Sequence, residues 1–333
     1  MLKVTFFQRR PRPGFNFSLE AIFDDVRAQL KDKIVADLKH SSYYNDGLWT
    51  KVLNIVEAAF RQSKIVNHIT GGVHFINILM RKKTVLLTVL DCRFMERKQG
   101  LQKAFMKWLY LDMPIKKAKY ITTISESTKQ DILKYTHCRA EKIKVVPVAV
   151  DKMYQPLSKS FNADKPVILQ VGTGENKNLF RLIEALSTIP CHLSIVGKLN
   201  NQHKAALEEH HIEYSNAYNL SSAEILAQYQ ACDMVAFVST FEGFGMPIIE
   251  GNSVERVIIT SNISSMPEVA GDSALLVDPF DVEAIRSGVL RLIQEVNLRQ
   301  QLIEAGRKNK LRFQSKAIAN LYYDLYQKIA NNS

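Results

Sequence analysis

Short apolar stretches alternate with amphipathic helical patterns through the first half of the chain. Buried strands are predicted at residues 2–7, 65–69, 84–89, 120–124 and 143–146. A helix is predicted to begin at Ser18, a residue type that caps helix N-termini, since apolar residues follow at helical spacing (Leu19, Ile22, Phe23 and Val26). Strands that alternate with helices form parallel sheets with helices on both faces, so the pattern predicts an α/β domain.

The alternation stops at residues 151–165, which contain Pro, Ser and Asn without periodicity and are predicted to be a linker. Beyond them the pattern restarts, with strands predicted at 167–171, 192–196, 234–238, 257–260 and 275–277. We therefore predict one doubly wound, Rossmann-like domain at 1–150, a second at 166–315, and a closing helix at 316–333. In open sheets of this kind, ligands bind beyond the carboxyl ends of the strands.

The composition of the 333 residues, 46% hydrophobic and 23% charged, is that of a globular protein and excludes a disordered or fibrous chain. The four cysteines are far apart in sequence, so neither a zinc site nor a disulfide framework is predicted. No N-terminal apolar segment reads as a signal peptide, and no apolar run reaches the ~20 residues that cross a bilayer. A cytoplasmic, water-soluble protein is expected.

Positive charge is concentrated in the first half, where residues 1–150 contain 27 Lys and Arg against 13 Asp and Glu. This asymmetry predicts an anionic partner, although a solvated lysine-rich surface would explain it as well. Residues 93–121 interleave aromatic side chains with six Lys and two Arg. They are interpreted either as an interfacial helix on an anionic membrane or as an ordinary amphipathic helix. Nucleic acid is not an expected partner, because no groove-reading helix or stacking sheet is predicted.

The most informative segment is STFEGFGMPIIE at residues 239–250, which follows a predicted strand. Its two glycines let the backbone approach a ligand closely, and Pro247 suits the first turn of a helix, whose free N–H groups bind anions. Glu242 and Glu250 bracket the loop, and a carboxylate there can accept both hydroxyls of a vicinal diol. The alternative is that they only cap or solvate the helix.

A second candidate segment, GTGENKN at residues 172–178, also lies between a strand and a helix. It fits neither the P-loop nor the dinucleotide fingerprint. Lys177 at the start of a helix is unfavourable unless an anion such as a diphosphate binds there, so we predict a diphosphate site rather than an idle surface lysine.

The sequence resembles the retaining family-four glycosyltransferases, most strongly in residues 165–295. The matching segments are 171–186, 241–250 and 260–279, with 124–133 and 144–151 similar to the junction between the two domains of that family. The resemblance implies the GT-B fold, in which two Rossmann-like domains face each other across a cleft and the C-terminal helix returns to the first domain. It also implies transfer of a sugar from a nucleotide-sugar donor.

The resemblance assigns roles residue by residue. Lys177 would clamp the donor diphosphate, Glu242 would hold hydroxyls of the transferred sugar, and Glu250 would bind the ribose. Asp91 stands at the second position of the family's His-Asp pair. The catalytic set is therefore Glu242, Lys177 and Asp91. The donor-binding set adds Gly14, Thr173, Gly174, Gly243, Phe244, Gly245, Met246 and Glu250, and Phe15 and Asn16 are assigned to the acceptor side.

Three departures from the family pattern are present. Leu90 replaces the His of the His-Asp pair. Thr173 and Asn176 occupy the positions where an Arg commonly assists the lysine, for which Lys198 is a substitute candidate. Glu255 and Val257 replace a small residue and a Pro. These changes leave open a catalytically weakened nucleotide-sugar or glycan-binding relative, and a nucleotide-sugar epimerase is a further alternative.

The predicted function is a retaining hexosyl transfer, mannose- or glucose-like, to a glycan or lipid-linked acceptor in surface polysaccharide or glycolipid synthesis. No cofactor is expected beyond the nucleotide-sugar substrate. Metal independence is predicted because none of the Asp residues forms the Asp-x-Asp motif of metal-dependent transferases. The enzyme is expected in the cytoplasm, peripheral on the inner membrane face.

Overall fold

The computed structural model describes residues 1–11, 18–96 and 99–331. It divides the chain into two compact units. The first contains Met1–Ala149 and the C-terminal segment from Ser315, and the second contains Val150–Gln314.

The first unit is built on a parallel six-stranded sheet in the order β2-β1-β3-β4-β5-β6. Its strands are β1 (Leu2–Gln8), β2 (Ile34–His40), β3 (Val66–Ile69), β4 (Val85–Val89), β5 (Tyr120–Thr123) and β6 (Ile143–Val145). Its helices before the linker are α1 (Ser18–Gln29), α2 (Leu48–Arg61), α3 (Gly100–Lys107), α4 (Met113–Lys116) and α5 (Glu126–Tyr135), with a π-helix at Trp108–Asp112 between α3 and α4. The central strands are fully buried, which is why their apolar runs could be recognised in the sequence.

The second unit repeats this architecture, with the strand order β12-β11-β10-β7-β8-β9 and all pairs parallel. Its strands are β7 (Val167–Val171), β8 (His192–Val196), β9 (Tyr214–Ala217), β10 (Met234–Phe237), β11 (Val257–Ser261) and β12 (Leu275–Val277). Its helices are α6 (Leu179–Leu186), α7 (Asn201–Glu209), α8 (Ser222–Ala231), α9 (Met246–Ser253), α10 (Met266–Ala270), α11 (Val282–Gln294) and α12 (Val296–Asn309). The chain order reverses between β7 and β10, so the loops after these two strands leave the sheet side by side.

The last helix, α13 (Ser315–Ala330), packs on the first unit and against α1. Its Tyr326 hydroxyl lies 2.8 Å from Nδ1 of His68, whose Nε2 lies 2.7 Å from the Thr88 hydroxyl. Burial lowers the pKa of His68 to about 3, so the ring is neutral and both nitrogens are satisfied. His68 is therefore a core residue rather than a ligand.

Two absences hold for the described residues. No helix among them combines the length and the apolar character that crossing a membrane requires. Within the same ranges, no three His, Cys, Asp or Glu side chains are grouped so that they could hold a metal ion.

Candidate functional site

The loop after β7 is shaped by buried polar contacts. Gln170, fully buried in the strand, donates from Nε2 to the carbonyl oxygens of Gly172 and Lys177, at 3.1 and 3.0 Å. These two bonds fold residues 172–177 into a tight turn. Asn178 follows with a φ of 59°, and its amide donates to the carbonyls of Val238 and Pro279. The start of α6 is thereby fixed beside the end of β10.

Gly172 is required by this turn on two grounds. Its φ is +92°, and a Cβ built on it would lie 2.9 Å from Cε of Lys177. We expect Gly172→Ala to lower the free energy of unfolding by about 1–2 kcal/mol, the cost of a left-handed non-glycine residue, and to displace the Lys177 side chain. Chemical denaturation measures the loss.

Gly174→Ala is the matched control for stability, because Gly174 has a φ of −64° and its added Cβ would meet only a side-chain oxygen at 3.3 Å. Equal destabilisation by the two substitutions would contradict the role given to Gly172.

Lys177 and Glu242, which lie 65 positions apart in sequence, form an ion pair with Nζ 2.7 Å from Oε1. The ammonium also lies 4.7 Å from the centre of the Phe237 ring, a cation–π contact. Asn176 donates to the same Glu242 oxygen and to the Phe241 carbonyl, both at 3.0 Å. The two loops that the sequence singled out therefore meet in one partly buried polar cluster.

The Glu242 loop is held by hydroxyl groups from the segment after β11. Ser264 and Ser265 donate to the Glu242 carbonyl at 2.7 and 2.9 Å, and Ser265 lies 2.6 Å from the Phe244 carbonyl. Phe244 is buried and packs edge-on against Phe313. Gly245 takes a φ of +120° immediately before α9, so the loop reaches the helix N-terminus in a conformation that favours glycine.

Glu250 lies one turn into α9 and accepts a hydrogen bond of 2.5 Å from the buried Tyr229 hydroxyl. Tyr154 also donates to this carboxylate, and the two tyrosine rings meet edge to face. Burial raises the pKa of Glu250, against the lowering effect of the two tyrosine bonds and of the nearby Lys177 charge. Glu250 is therefore a preorganised acceptor whose charge depends on pH.

The other predicted donor residues of the second unit lie in the same two loops or at the start of α9. Thr173 donates to the Lys198 carbonyl at 2.8 Å, which draws the loop after β8 against the loop after β7. A Cβ on Gly197 would approach Cγ2 of Thr173 to 2.9 Å, so these loops are in close contact. Gly174 lies in the Lys177 loop, Gly243 lies in the Glu242 loop, and Met246 is the first residue of α9.

Asp91 belongs to the first unit, where it follows β4 and accepts a 3.0 Å hydrogen bond from the Arg93 amide. Its charge favours the protonated form of the buried His74, although burial dominates and lowers the pKa of that histidine. The neighbouring Leu90 carbonyl accepts a 3.4 Å bond from Thr128. Gly14, Phe15 and Asn16 lie outside the described residues.

Sequence reasoning gave no site role to several residues that shape this cluster. They are Gln170, Asn178, Tyr154, Tyr229, Ser264 and Ser265. Asn176 was noted only as a departure, yet it binds Glu242 directly. Their position along the chain is the signal that could have found some of them. Gln170 is the next-to-last residue of β7, and Ser264 and Ser265 follow β11.

The cluster joins one ammonium, two carboxylates and the N-terminus of α9 at the carboxyl ends of β7 and β10. Lys177 has three N–H donors and Glu242 accepts one, so the ammonium can bind a phosphate oxygen without releasing the carboxylate. The carboxylates accept hydroxyl hydrogens, and the helix terminus favours negative charge. A ligand that combines phosphates with hydroxyl groups fits this arrangement.

Comparison with known proteins identifies the domain that carries the cluster. Residues 155–309 match the family model described as glycosyl transferases group 1. Among curated relatives, O-antigen chain mannosyltransferase B of Escherichia coli is 28% identical over 206 residues, 55% of this chain and 54% of the relative. The chain thus spans about half the length of that relative. The predicted resemblance to glycosyltransferases is confirmed for residues 155–309, which this family model matches.

Solved structures match the whole chain. Sucrose-phosphate synthase from Thermosynechococcus elongatus, 14% identical, covers 100% of both chains with a TM-score of 0.82. HepE from Anabaena, solved in complex with UDP and glucose, is 14% identical and has a TM-score of 0.78 over 98% of this chain and 100% of its own. These likenesses confirm the predicted α/β GT-B fold class.

Proposed function

We propose that this chain, which carries a glycosyl transferases group 1 domain at residues 155–309, transfers a hexosyl group from a nucleotide-diphosphate sugar to a glycan or lipid-linked acceptor. The contact between Lys177 and Glu242 carries the proposal, because it places a phosphate-binding cation beside a hydroxyl-binding carboxylate. The curated relative is named a mannosyltransferase of O-antigen chains, which supports mannose as the first hexose to test and surface polysaccharide as the product class.

In the proposed mechanism, breaking the bond between sugar and diphosphate leaves negative charge on the leaving phosphate. Lys177 and the amides at the start of α9 stabilise that charge, and preorganised donors of this kind are usually the largest catalytic contribution. Glu242 orients the sugar through its hydroxyls, and Glu250 orients the ribose. Retention follows from front-side attack, in which a leaving-phosphate oxygen accepts the acceptor's proton, so Leu90 in place of a histidine does not abolish the reaction.

The decisive experiment measures release of nucleoside diphosphate from GDP-, UDP- and ADP-hexoses, with and without an acceptor lipid or glycan. A transferase releases diphosphate when the acceptor is present. If the protein only binds nucleotide sugars, they will stabilise it against heat, but no diphosphate will be released. If it is an epimerase, the sugar will be converted to its epimer while it stays attached to the nucleotide. Thermal shifts with free GDP, UDP and ADP identify the base first, since a ligand at about 100 times its Kd adds about 2.7 kcal/mol of apparent stability.

Metal independence is part of the proposal and has its own test. We expect diphosphate release to change less than about twofold when EDTA replaces Mg²⁺, because Lys177 and the α9 amides supply the charge stabilisation that a metal supplies elsewhere. The measurement is the initial rate in chelator, in Mg²⁺ and in Mn²⁺. A rate that collapses in chelator and returns with added metal would overturn this part of the mechanism.

The first unit is proposed to face an anionic membrane surface, which is consistent with its excess of Lys and Arg. Residues 93–121 were interpreted either as the segment that makes this contact or as an ordinary amphipathic helix. A peripheral position on the inner membrane face would bring the enzyme to a lipid-linked acceptor.

A further inference from the structure

Helix α2 presents an apolar face that no described element covers. Trp49 is 80% exposed and Phe60 is 87% exposed. Between them lie three further exposed apolar side chains, Val52, Leu53 and Val56, and Leu48 precedes them. These positions recur every three or four residues, so they form one stripe along the helix. Trp49 and Phe60 are 11 residues apart, which places the two aromatic rings about 16 Å apart along the helix axis.

The opposite face anchors α2 firmly to the first unit. Asn54 is buried and bonds to both the amide and the carbonyl of Tyr43, at 3.2 and 2.9 Å. Ala58 is buried in the apolar core, and Glu57 accepts hydrogen bonds from the amide and hydroxyl of Ser42. The exposed stripe therefore lies on a well-packed helix, and its exposure is a property of the fold. Contiguous exposed apolar surface of this kind marks an interaction site.

Basic residues lie on α2 and in the segments next to it. Lys51 and Arg61 lie on α2 itself and Lys64 follows it, while Arg81 donates its amide to Gln62 at the end of the helix. Arg10 donates to the Ser42 carbonyl and lies over the Tyr44 ring, next to the segment that leads into α2. Of these five cations, Arg61 is paired with Glu57, so four cations remain against Asp46. The surroundings of the stripe are thus positively charged.

We propose that the α2 stripe docks on an anionic lipid bilayer, with Trp49 and Phe60 in the interface and the surrounding cations at the headgroups. A helix with Trp, Phe and Leu on one face and Lys and Arg beside it is the pattern of an interfacial helix. A second copy of the chain fits less well, because it would bring two strongly basic units together. This inference rests on the membrane contact proposed above for the first unit and names the surface that makes it, but it does not depend on the transfer reaction.

The stripe is a better lipid-facing surface than residues 93–121. In that segment Leu109 is buried, and Tyr110 packs against Phe75 and Phe94. Phe105 and Trp108 stack on each other with ring centres 6.1 Å apart. Part of the apolar content of the segment therefore packs into the core. Leu101, Phe105 and Trp108 remain exposed, a smaller apolar set than the six exposed side chains of the α2 stripe.

The two tryptophans of the chain, Trp49 and Trp108, report on the two surfaces separately. In Trp108→Phe the remaining fluorescence comes from Trp49, and in Trp49→Phe it comes from Trp108. We expect vesicles of phosphatidylglycerol and phosphatidylcholine to shift Trp49 emission to shorter wavelength. Vesicles of phosphatidylcholine alone should leave it unchanged. The measurement contains no nucleotide sugar, so its outcome does not depend on whether the protein catalyses the transfer reaction.

Co-sedimentation with the same vesicles tests whether Trp49 and Phe60 contribute to membrane binding. The double variant Trp49→Ser, Phe60→Ser should bind about tenfold more weakly or worse, since it removes two interfacial aromatic side chains. Leu311→Ser is the matched control, because Leu311 is exposed and apolar but lies in the second unit. Circular dichroism and thermal unfolding confirm that each variant is folded.

Three outcomes would overturn the inference. The first is an emission shift for Trp108 without one for Trp49, which would assign docking to residues 93–121. The second is the absence of vesicle binding together with a dimer that the double variant abolishes, which would assign the stripe to a second copy. The third is vesicle binding that the double variant retains in full.

Discussion

Lys177→Ala should reduce kcat for hexosyl transfer by about 10²–10³-fold, the usual cost of removing one preorganised donor to the developing charge. The substitution removes the only side-chain cation that the structure places against Glu242 within the described residues. It should leave the fold intact, because Asn176, Ser264 and Ser265 hold the Glu242 loop independently of the ion pair. Single-turnover diphosphate release and thermal unfolding measure the two effects.

Glu242→Ala should reduce transfer to a similar extent while leaving binding of the free nucleoside diphosphate nearly unchanged. The reason is that Glu242 is assigned to the sugar rather than to the diphosphate. Isothermal titration with nucleoside diphosphate separates the two residues, because Lys177→Ala should weaken that binding and Glu242→Ala should not.

The charge-swapped variant Lys177→Glu, Glu242→Lys distinguishes a catalytic pair from a structural one. It restores an ion pair between the loops after β7 and β10. If the pair only joined the loops, the swap would recover much of the activity lost in the single variants. We expect no recovery, because the carboxylate then stands where the diphosphate binds. Recovery to within about tenfold of the parent rate would exclude the proposed mechanism.

Most strands that the sequence predicted are buried on both faces. The edge strands β6 and β12, which have exposed residues, were also predicted, from short apolar runs. Strands such as β4 and β11 are mostly apolar and have no exposed residue, and parallel sheets covered by helices produce that pattern. The sequence analysis missed β2 and β9. Both lie at sheet edges, where β2 carries Asp37 and Lys39 and β9 has no buried residue. Their pairing is decided by the neighbouring strand, which a local pattern does not report.

In the candidate site, too, some features could be predicted from the sequence and others could not. Glycines before a helix and an isolated lysine at a helix start carry local signals, so the two loops could be identified from sequence. The contact of Lys177 with Glu242 depends on the adjacency of β7 and β10, which topology rather than spacing decides. The tyrosines that hold Glu250 come from the linker and from α8, and nothing near them in sequence points to a carboxylate.

Glu250→Gln should lower kcat/KM for the donor by about 10–10²-fold, because a hydrogen bond to a charged acceptor contributes about 1.5–3 kcal/mol. The effect should appear mainly in KM if Glu250 holds the ribose in the ground state and the transition state alike. Tyr229→Phe is a graded comparison, since it removes one of the two hydroxyls that orient the carboxylate and keeps the ring packing. A variant with full activity and unchanged KM would rule out the ribose contact.

The pH dependence of KM tests the same assignment through charge. Burial raises the pKa of Glu250 above its ordinary value, so the carboxylate is protonated, and loses acceptor capacity, at a higher pH than an exposed glutamate. Donor KM should therefore rise as the pH falls through that raised pKa, and Glu250→Gln should flatten this acidic limb. Folding stability changes in the opposite direction. The folded state binds this proton more tightly than the unfolded state, so stability is lost as the pH rises from the ordinary glutamate pKa through the raised pKa of Glu250. A donor with 2′-deoxyribose completes the test. Its KM should be much higher than that of the ribose donor in the parent enzyme, and only slightly higher in Glu250→Gln.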